Sequence, residues 1–309
     1  MVADSDTSTR HTHTDPVSAF GIGSVALTGP RTVAAEQQLS SRFADHRGRI
    51  DLPALAVLFD HIGGLPFYSY GPSGSPCVQA RLAMSMQGHI DVSDRVTGTA
   101  ELLMHDHGFG STRIEIATST GHVCSAGTAR NVAVGRSAAT NPTRDDRGAT
   151  APAIGVDSVP LPPAIDPGLP GRAVVEQIAE GVRAAGPITE LLNGRVEVVD
   201  HAHGVGIRFT ARTEPWMGNV FGTMHGGVIA AIVAQACSFA GHANAAAGRD
   251  YQVGDLAISF LRSPAVHGGE VVVDVEPVKI GRRIASVEAT MRAHDGMLLS
   301  RCAADIQYR

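Results

Sequence analysis

Residues 219–227 are Asn-Val-Phe-Gly-Thr-Met-His-Gly-Gly, and they lead directly into a long apolar run. The glycines Gly222, Gly226 and Gly227 allow the backbone to turn tightly and to approach a neighbour closely. The run at 228–240 is apolar on nearly all sides, which predicts a helix buried at the centre of a fold. The first turn of a helix leaves its N–H groups unpartnered at the positive end of the helix dipole. The stretch therefore predicts a backbone site for a partly negative oxygen.

The residues around this loop alternate between apolar and polar in the manner of strands. A helical pattern precedes them at 172–185. The predicted strands cover 195–200, 205–213, 255–261, 270–280, 283–294 and 297–308, with the turn Asp295-Gly296 before the last. One buried helix followed by an antiparallel meander is the hotdog arrangement, in which a curled sheet wraps round a central helix. We therefore predict an α+β hotdog domain over 171–309.

The first half of the chain repeats the second at a nearly constant offset. Leu82-Ala83-Met84-Ser85 aligns with Leu256-Ala257-Ile258-Ser259 (256 − 82 = 174), and 52–62 falls on 226–236 at the same offset. Glu101, Ser111 and Gly121 align with Glu276, Ser286 and Gly296 at 175. This agreement in register predicts a tandem (double) hotdog forming a pseudo-dimer within one chain. The first copy shows no clear equivalent of the strands at 195–213.

Composition sets the domain boundaries. We predict a flexible tail at 1–30, a degenerate hotdog at 31–135, a Pro-rich linker at 136–170 and the C-terminal hotdog at 171–309. The linker contains the charged run Arg144-Asp145-Asp146-Arg147 and then recurrent prolines, and it carries too little apolar surface to fold.

The bulk composition narrows the function classes. The chain has 309 residues, 43% of them hydrophobic, and a formal charge of −5. No basic stripe indicates a nucleic-acid partner, and no apolar stretch approaches the length of a membrane span. The four cysteines form no metal-ligand pattern, and the N-terminus has no signal-peptide pattern. We expect a cytoplasmic protein without nucleic-acid or membrane partners, in which further association into homo-oligomers stays open.

The loop residues suggest roles in carbonyl chemistry. The N–H of Gly226, next to Gly227, could polarise a thioester carbonyl and stabilise the oxyanion formed from it. Asn219 could orient a water or hold the carbonyl. His225 could act as a general base or fix the loop by hydrogen bonds, and we favour the second role. The alternative for the whole motif is a tight glycine turn without a ligand.

With the DLAISFLRSP stretch (255–264) and the Gly281-Arg282-Arg283 step, this loop resembles the PaaI-type hotdog thioesterases over about 172–309. The resemblance implies hydrolysis of acyl-CoA without a metal or other cofactor. It also implies a carboxylate on the central helix, nine residues past the histidine and supplied across the dimer axis.

The chain departs from that pattern in both copies. Nine residues past His225 lies Ala234, and the first copy has Asp51-Leu52-Pro53 in place of His-Gly-Gly. The position equivalent to Ala234 is Asp60 (234 − 174 = 60). We therefore predict one composite site of Asp60, Asn219 and Gly226, with a gap of a few ångströms for the thioester between carboxylate and N–H. The opposite site should be inactive.

Asp60 lies in an otherwise apolar helix, where an unpaired carboxylate is costly. It could activate water as a general base, attack the thioester directly, or form a structural salt bridge to His61 or an arginine. Gln79 could help to hold the water, and Gln235 could replace the missing acid of the second copy as a water-positioning group.

Two arginines are further candidates for the substrate. Arg282 and Arg283 could bind the phosphates of coenzyme A, or could be a solvated surface pair. The leading hypothesis is an acyl-CoA thioesterase. The alternatives are a non-catalytic acyl-CoA-binding protein and a hotdog hydratase or dehydratase.

Overall fold

In a computed structural model, residues 14–70, 76–135 and 156–309 are described. The N-terminal repeat contains two short 3-10 helices, Ser41–Phe43 and Leu52–Leu55. Its helices are α1 (Pro16–Ala19) and α2 (Ala56–Tyr70). Its strands are β1 (Ala26–Gly29), β2 (Thr32–Gln38), β3 (Cys77–Met86), β4 (Arg95–His105), β5 (Phe109–Ala117) and β6 (Val123–Ala133).

In the C-terminal repeat, two strands, a long helix and four further strands follow in the same order, after two helices instead of one. Its helices are α3 (Gly171–Ala179), α4 (Pro187–Leu191), the 3-10 helix Pro215–Met217 and α5 (Gly226–Ala243). Its strands are β7 (Gly194–His201), β8 (Gly204–Arg212), β9 (Tyr251–Phe260), β10 (Glu270–Ile280), β11 (Ile284–Ala293) and β12 (Leu298–Tyr308). Each strand predicted for this half is present, with ends within a few residues of the prediction.

All twelve strands form one continuous sheet in the order β1-β2-β4-β5-β6-β3-β9-β12-β11-β10-β8-β7. The order is palindromic when each strand is replaced by its equivalent in the other repeat. At the centre, β3 pairs antiparallel with β9, and Ala83 faces Ala257 at an offset of 174. A pseudo-twofold axis therefore passes through this pair, and the predicted tandem hotdog is confirmed.

The two long helices fill the inside of the curled sheet and pack against each other. All residues of α5 after Gly226 are buried. By length and composition α5 could cross a membrane, contrary to the sequence-based expectation, but 94% of it is buried inside the protein. It is therefore the core helix that its all-round apolar pattern predicts.

The prediction that the first copy lacks equivalents of strands 195–213 is wrong. Strands β1 and β2 are those equivalents, because β2 pairs with β4 as β8 pairs with β10. The predicted tail at 1–30 is also too long. Phe20 is fully buried and stacks on Phe43, and the side chain of Gln37 donates to the carbonyls of Phe20 and Ala54. The first thirteen residues of that tail lie outside the described residues.

The predicted linker at 136–170 is described only from residue 156, and 156–170 contains no helix or strand. This stretch is held to the first repeat, because the hydroxyls of Ser40 and Ser41 donate to the carbonyls of Asp157 and Val159. The helix predicted at 172–185 ends early. Gly181 adopts a φ of +73°, a left-handed conformation that stops the helix.

Candidate active site

Asp60 and the start of α5 are in direct contact. The side chain of Asp60 is buried, with 9% exposed. A Cβ built on Gly226 would lie 2.7 Å from Oδ1 and 3.0 Å from Oδ2 of Asp60. The two repeats therefore bring the carboxylate and the helix N-terminus together, 166 residues apart in sequence (226 − 60). The fit of a thioester between the carboxylate and the Gly226 N–H stays a prediction.

Glycines allow the start of α5 to lie this close to α2. A Cβ on Gly227 would lie 2.6 Å from the Cα of Val57 and 3.0 Å from the carbonyl oxygen of Ala56, which is too close for any side chain. The N–H groups of Val228 and Ile229 both donate to the carbonyl of His225. Among the described residues, Gly226 N–H has no hydrogen-bond partner. It is a first-turn donor left for a ligand.

His225 is the helix N-cap and also the partner of Asp60. Its Nδ1 lies 2.9 Å from Asp60 Oδ2 and 3.1 Å from Gly227 N. One nitrogen cannot donate to the carboxylate and accept from the amide at the same time. A hydrogen bond to a carboxylate is the stronger of the two, so we assign the Nδ1 hydrogen to Asp60, which leaves the Gly227 N–H without an acceptor on this histidine. The partner of Asp60 is therefore His225 and not His61, the next residue on its own helix.

His61 is neutral at physiological pH. Burial, together with the nearby His225, lowers its pKa to about 4. It adds no positive charge beside Asp60.

Asn219 organises the loop. Its Oδ1 accepts hydrogen bonds from Phe221 N at 2.9 Å and from Thr223 N at 3.2 Å. Its Nδ2 is 3.4 Å from the carbonyl oxygen of Met224. The side-chain carbonyl is thus used within the loop, and a direct contact with substrate through Nδ2 stays a prediction.

Two amides lie on the sheet side of α2, and sequence reasoning identified only one. Gln79 Nε2 donates to the backbone carbonyl of Asp60. Asn131 is fully buried, and its Nδ2 donates to Gly63 O at 3.0 Å. The two residues face each other across β3 and β6. Each keeps a buried side-chain oxygen without a hydrogen-bond partner. The sequence signal for Asn131 was an inward-facing amide in an otherwise apolar strand pattern.

The second repeat lacks this polar set. Val253 occupies the position of Gln79 (79 + 174), Ile306 that of Asn131 (131 + 175), and Ala234 that of Asp60. Val253, Ile306 and Ala234 are all fully buried. The set formed by Asp60, Gln79 and Asn131 therefore has no equivalent at the matching positions of the second repeat.

An ion-pair cluster fills the opposite side. Asp51 stands at the position of His225 (225 − 174) and caps the 3-10 helix by accepting from Leu52 N. Arg47 NH2 lies 2.6 Å from Asp45 and 3.0 Å from Asp51, and the guanidinium stacks 3.7 Å above the ring of Tyr251. Burial raises the pKa of Asp51 to about 6.

Next to this cluster, two buried histidines bridge the repeats. His46 Nε2 and His242 Nδ1 are 2.6 Å apart, and the ring of His46 also stacks on Phe239. Burial lowers the pKa of His46 to about 4 and that of His242 to about 2. Both rings are therefore neutral at pH 7 and share one proton along a hydrogen bond.

Two further predicted groups lie away from Asp60. Gln235 Nε2 donates to Thr189 Oγ1, so this amide belongs to the opposite side. The turn with Arg282 and Arg283 lies at the far end of α5, since Tyr308 donates from its N–H to Arg283 O and from its hydroxyl to Gly241 O. The 18 residues of α5 span about 27 Å. The structure therefore does not bring these arginines to the composite site.

The sequence of the second repeat is similar to one known protein family. Residues 221–300, which include Gly222, Gly226 and Gly227, match the family model of the thioesterase superfamily. This match lies within the C-terminal repeat. No curated protein sequence matches the chain significantly.

Solved structures match the chain over nearly its whole length. The tesB protein of Mycobacterium avium subs paratuberculosis is 11% identical, with a TM-score of 0.56, over 92% of this chain and 95% of that one. The acyl-CoA thioesterase II TesB2 of Mycobacterium marinum is 11% identical, with a TM-score of 0.57, over 95% and 96%. An acyl-ACP thioesterase of Bacteroides thetaiotaomicron is 8% identical, with a TM-score of 0.54, over 90% and 98%. At these identities the likeness shows a shared tandem fold.

Proposed function

We propose that the chain is an acyl-CoA thioesterase with one active site, formed where Asp60 of the first repeat meets the N-terminus of α5. The observation that carries the proposal is the contact of the buried Asp60 carboxylate with Gly226 and His225. The thioesterase-superfamily match of 221–300 and the acyl-CoA thioesterase with the same tandem fold support this reaction class.

In the proposed mechanism the thioester carbonyl oxygen accepts a hydrogen bond from the free N–H of Gly226. The positive end of α5 stabilises the oxyanion that forms when the carbonyl carbon becomes tetrahedral.

Asp60 acts as the general base. It takes a proton from a water whose oxygen attacks the carbonyl carbon, and the carbon–sulfur bond then breaks to release the thiolate. The unpartnered oxygens of Gln79 and Asn131 support this role, because a water on that side of α2 could donate to them. His225 holds the carboxylate through Nδ1. No metal or other cofactor enters this reaction.

Hydrolysis of acyl-CoAs of different chain length, followed by thiol release, tests the proposal. Asp60→Asn keeps the shape of the side chain but cannot accept the proton, so we expect kcat to fall about 100-fold or more, as for loss of a general base. Asp295→Asn, in the exposed turn before β12, is the matched control. Full activity of Asp60→Asn would exclude the composite site.

One observation favours a second candidate function. The structure places a histidine and an aspartate from different repeats 2.9 Å apart, and such a pair could add water to an enoyl-CoA. The same enzyme preparation should therefore be assayed for loss of the conjugated double bond. If the protein hydrates the enoyl-CoA and releases no thiol, the second function is correct and thioester hydrolysis is excluded.

A further inference from the structure

A row of apolar side chains faces solvent along one end of the outer face of the sheet. Phe109 pairs with Val132 on the next strand, and Val132 pairs with Val78 on the strand after that. Phe109 is 52% exposed, and Leu261, just past the end of β9, is 50% exposed. We call this row the apolar rim, and its members on the neighbouring strands β5, β6, β3 and β9 are Phe109, Val132, Val78 and Leu261.

The apolar rim is a continuous feature rather than a set of isolated side chains. Single apolar residues are common on protein surfaces, whereas a contiguous apolar stretch beside polar groups marks an interaction site. Neighbouring strands are about 4.8 Å apart, so the four side chains cover about 14 Å of the end of the sheet. The rim therefore indicates a surface that binds an apolar partner.

A row of arginines lies directly behind the rim. Arg130 pairs with Arg81, and Ser259 pairs with both Arg81 and Arg301, so the three arginines share one level of the sheet. Arg130 comes two residues before Val132 on β6, which places this arginine row about 7 Å behind the rim. In the part of the chain that the structure describes, none of the three arginines has an ion pair or a side-chain hydrogen bond. Since like charges directly opposite destabilise a sheet, an anionic partner would relieve this arrangement.

Most of the negative charge on this face lies far from the rim. Asp255 pairs with Asp305, and it comes four residues before Ser259 on β9, about 13 Å behind the arginine row. That distance exceeds the Debye length of about 8 Å at physiological ionic strength. Near the rim, the carboxylate of Asp106 accepts from the N–H groups of Gly108 and Phe109 at 2.8 Å and so closes the β4–β5 turn. The arginines therefore outnumber the carboxylates at this end, although the whole chain has a formal charge of −5.

We propose that the apolar rim and the arginine row dock on an anionic lipid surface. Elements that lie on a membrane bury their apolar side about 5–10 Å into the boundary between headgroups and acyl chains. When the rim enters to that depth, the arginines about 7 Å behind it lie at the level of the lipid phosphates, which guanidinium groups bind well. The expectation of no membrane partner rested on the lack of a spanning segment, and docking of this kind needs none.

Docking turns the end of the molecule that carries the proposed active site toward the lipid. Val78 and Val132 of the rim are followed and preceded in sequence by Gln79 and Asn131, whose amides face inward and bond carbonyls of α2. Gln79 donates to the carbonyl of Asp60 itself. A long-chain acyl-CoA is amphiphilic and enters a lipid surface, so docking brings the site to that substrate. This consequence rests on the proposed function, whereas docking itself does not.

Co-sedimentation of the full chain with lipid vesicles tests the proposal. We expect binding to vesicles of equimolar phosphatidylcholine and phosphatidylglycerol, and weaker binding to phosphatidylcholine alone. Binding should also weaken as salt is raised, because exposed charges are screened. Arg130→Gln should raise the dissociation constant about fivefold, the contribution of one cation near an anionic surface. The matched control is Arg282→Gln, an exposed arginine at the far end of α5, which should bind as the wild type does.

The apolar contribution is tested separately. Phe109→Ser should raise the dissociation constant at least about tenfold, because most of the apolar ring area is lost. Ile284→Ser is the matched control, since Ile284 is 53% exposed at the opposite end of the sheet. All these side chains are at the surface, and the melting temperature of each variant shows whether the fold is kept.

A fluorescent reporter tests the orientation of docking. The chain has one tryptophan, the buried Trp216, so the emission of a second indole can be read as a difference. In Phe109→Trp the emission should shift to shorter wavelength on anionic vesicles, because the ring moves from water into lipid. Ile284→Trp should show no shift.

Three results would overturn the proposal. The first is no binding of the wild-type chain to anionic vesicles, and the second is equal binding of the wild type, Phe109→Ser and Arg130→Gln. The third is binding of soluble poly-aspartate, dependent on Arg130, without binding of vesicles, which would assign the arginine row to an acidic protein. None of these measurements requires hydrolysis, so docking can fail while Asp60→Asn confirms the thioesterase, and the reverse.

Discussion

The contact between Gly226 and Asp60 makes a single methyl group a sensitive probe of the site. In Gly226→Ala the new Cβ would lie 2.7 Å from Oδ1 of Asp60, whereas ordinary contacts begin near 3.4 Å. The carboxylate must therefore move by about 0.7 Å (3.4 − 2.7). Since a misplacement of about 1 Å can cost about 100-fold in rate, we expect kcat for acyl-CoA hydrolysis to fall about 10- to 50-fold.

Stability should change little, because alanine at the first helical position favours the helix by up to about 1 kcal/mol and offsets part of the strain. Kinetics over a range of acyl-CoA concentrations and thermal unfolding measure both effects. Gly269→Ala is the matched control, since its Cβ would lie 4.0 Å from Thr213 Oγ1. Wild-type kcat in Gly226→Ala would refute the placement of the reaction at this contact.

Three further predictions concern buried polar groups. The folded-state pKa values of His46 and His242 lie below the unfolded value of about 6.5. The unfolding free energy should therefore fall as pH drops from about 6.5 to about 4, because only the unfolded chain takes up these protons. Urea denaturation across this range measures the fall, and a His46→Gln variant whose unfolding free energy falls as steeply with pH would contradict the prediction. Protonation of Asp51, whose pKa is raised to about 6, opposes this trend but offsets only one of the histidines. Asn131→Leu should lower kcat about tenfold or more with little change in KM, because it removes the oxygen that accepts from the attacking water. Asn131→Asp keeps an acceptor oxygen and should lose less activity at constant melting temperature, whereas equal losses in the two variants, or unfolding of both, would contradict this role. Arg47→Met should destabilise the fold by about 3–5 kcal/mol in chemical denaturation, because it leaves buried carboxylates unpaired, and a loss below 1 kcal/mol would show that the cluster is not a stabilising ion pair.

The repeat was predictable from sequence because helix and strand positions keep one register. The offsets of 174 and 175 alone predict that Asp60 lies opposite Gly226. A central helix also has a fixed apolar signature, so α5 was placed to within three residues at each end.

The edge strands were missed for a physical reason. Strands β1 and β2 are short and lie at or near a sheet edge, where side chains need not alternate strongly; β1 shows no fully buried residue. Their Gly-, Ala- and Ser-rich neighbourhood resembles a tail in composition alone. Only the pairing of β2 with β4 identifies them as part of the fold.

The prediction that Arg282 and Arg283 lie at the substrate site was wrong, because a sequence motif does not show where a residue lies along the axis of the central helix. Arg282 and Arg283 follow β10, and β10 ends near the C-terminal end of α5, opposite the glycine loop.

Asn131 was overlooked because one amide among apolar residues has no spacing signal. Its importance is visible only once Gln79 is found opposite it.

The in-chain pairing of β3 with β9 also decides which assemblies can exist. If the two repeats were separate chains with the same interface, random pairing would give roughly half mixed dimers, and the like-with-like dimers would lack either the acid or the glycine loop. Covalent linkage removes this statistical loss and raises the effective concentration of one repeat for the other. Every folded chain then contains one complementary pair, so each repeat was free to lose the half of the site that the other supplies.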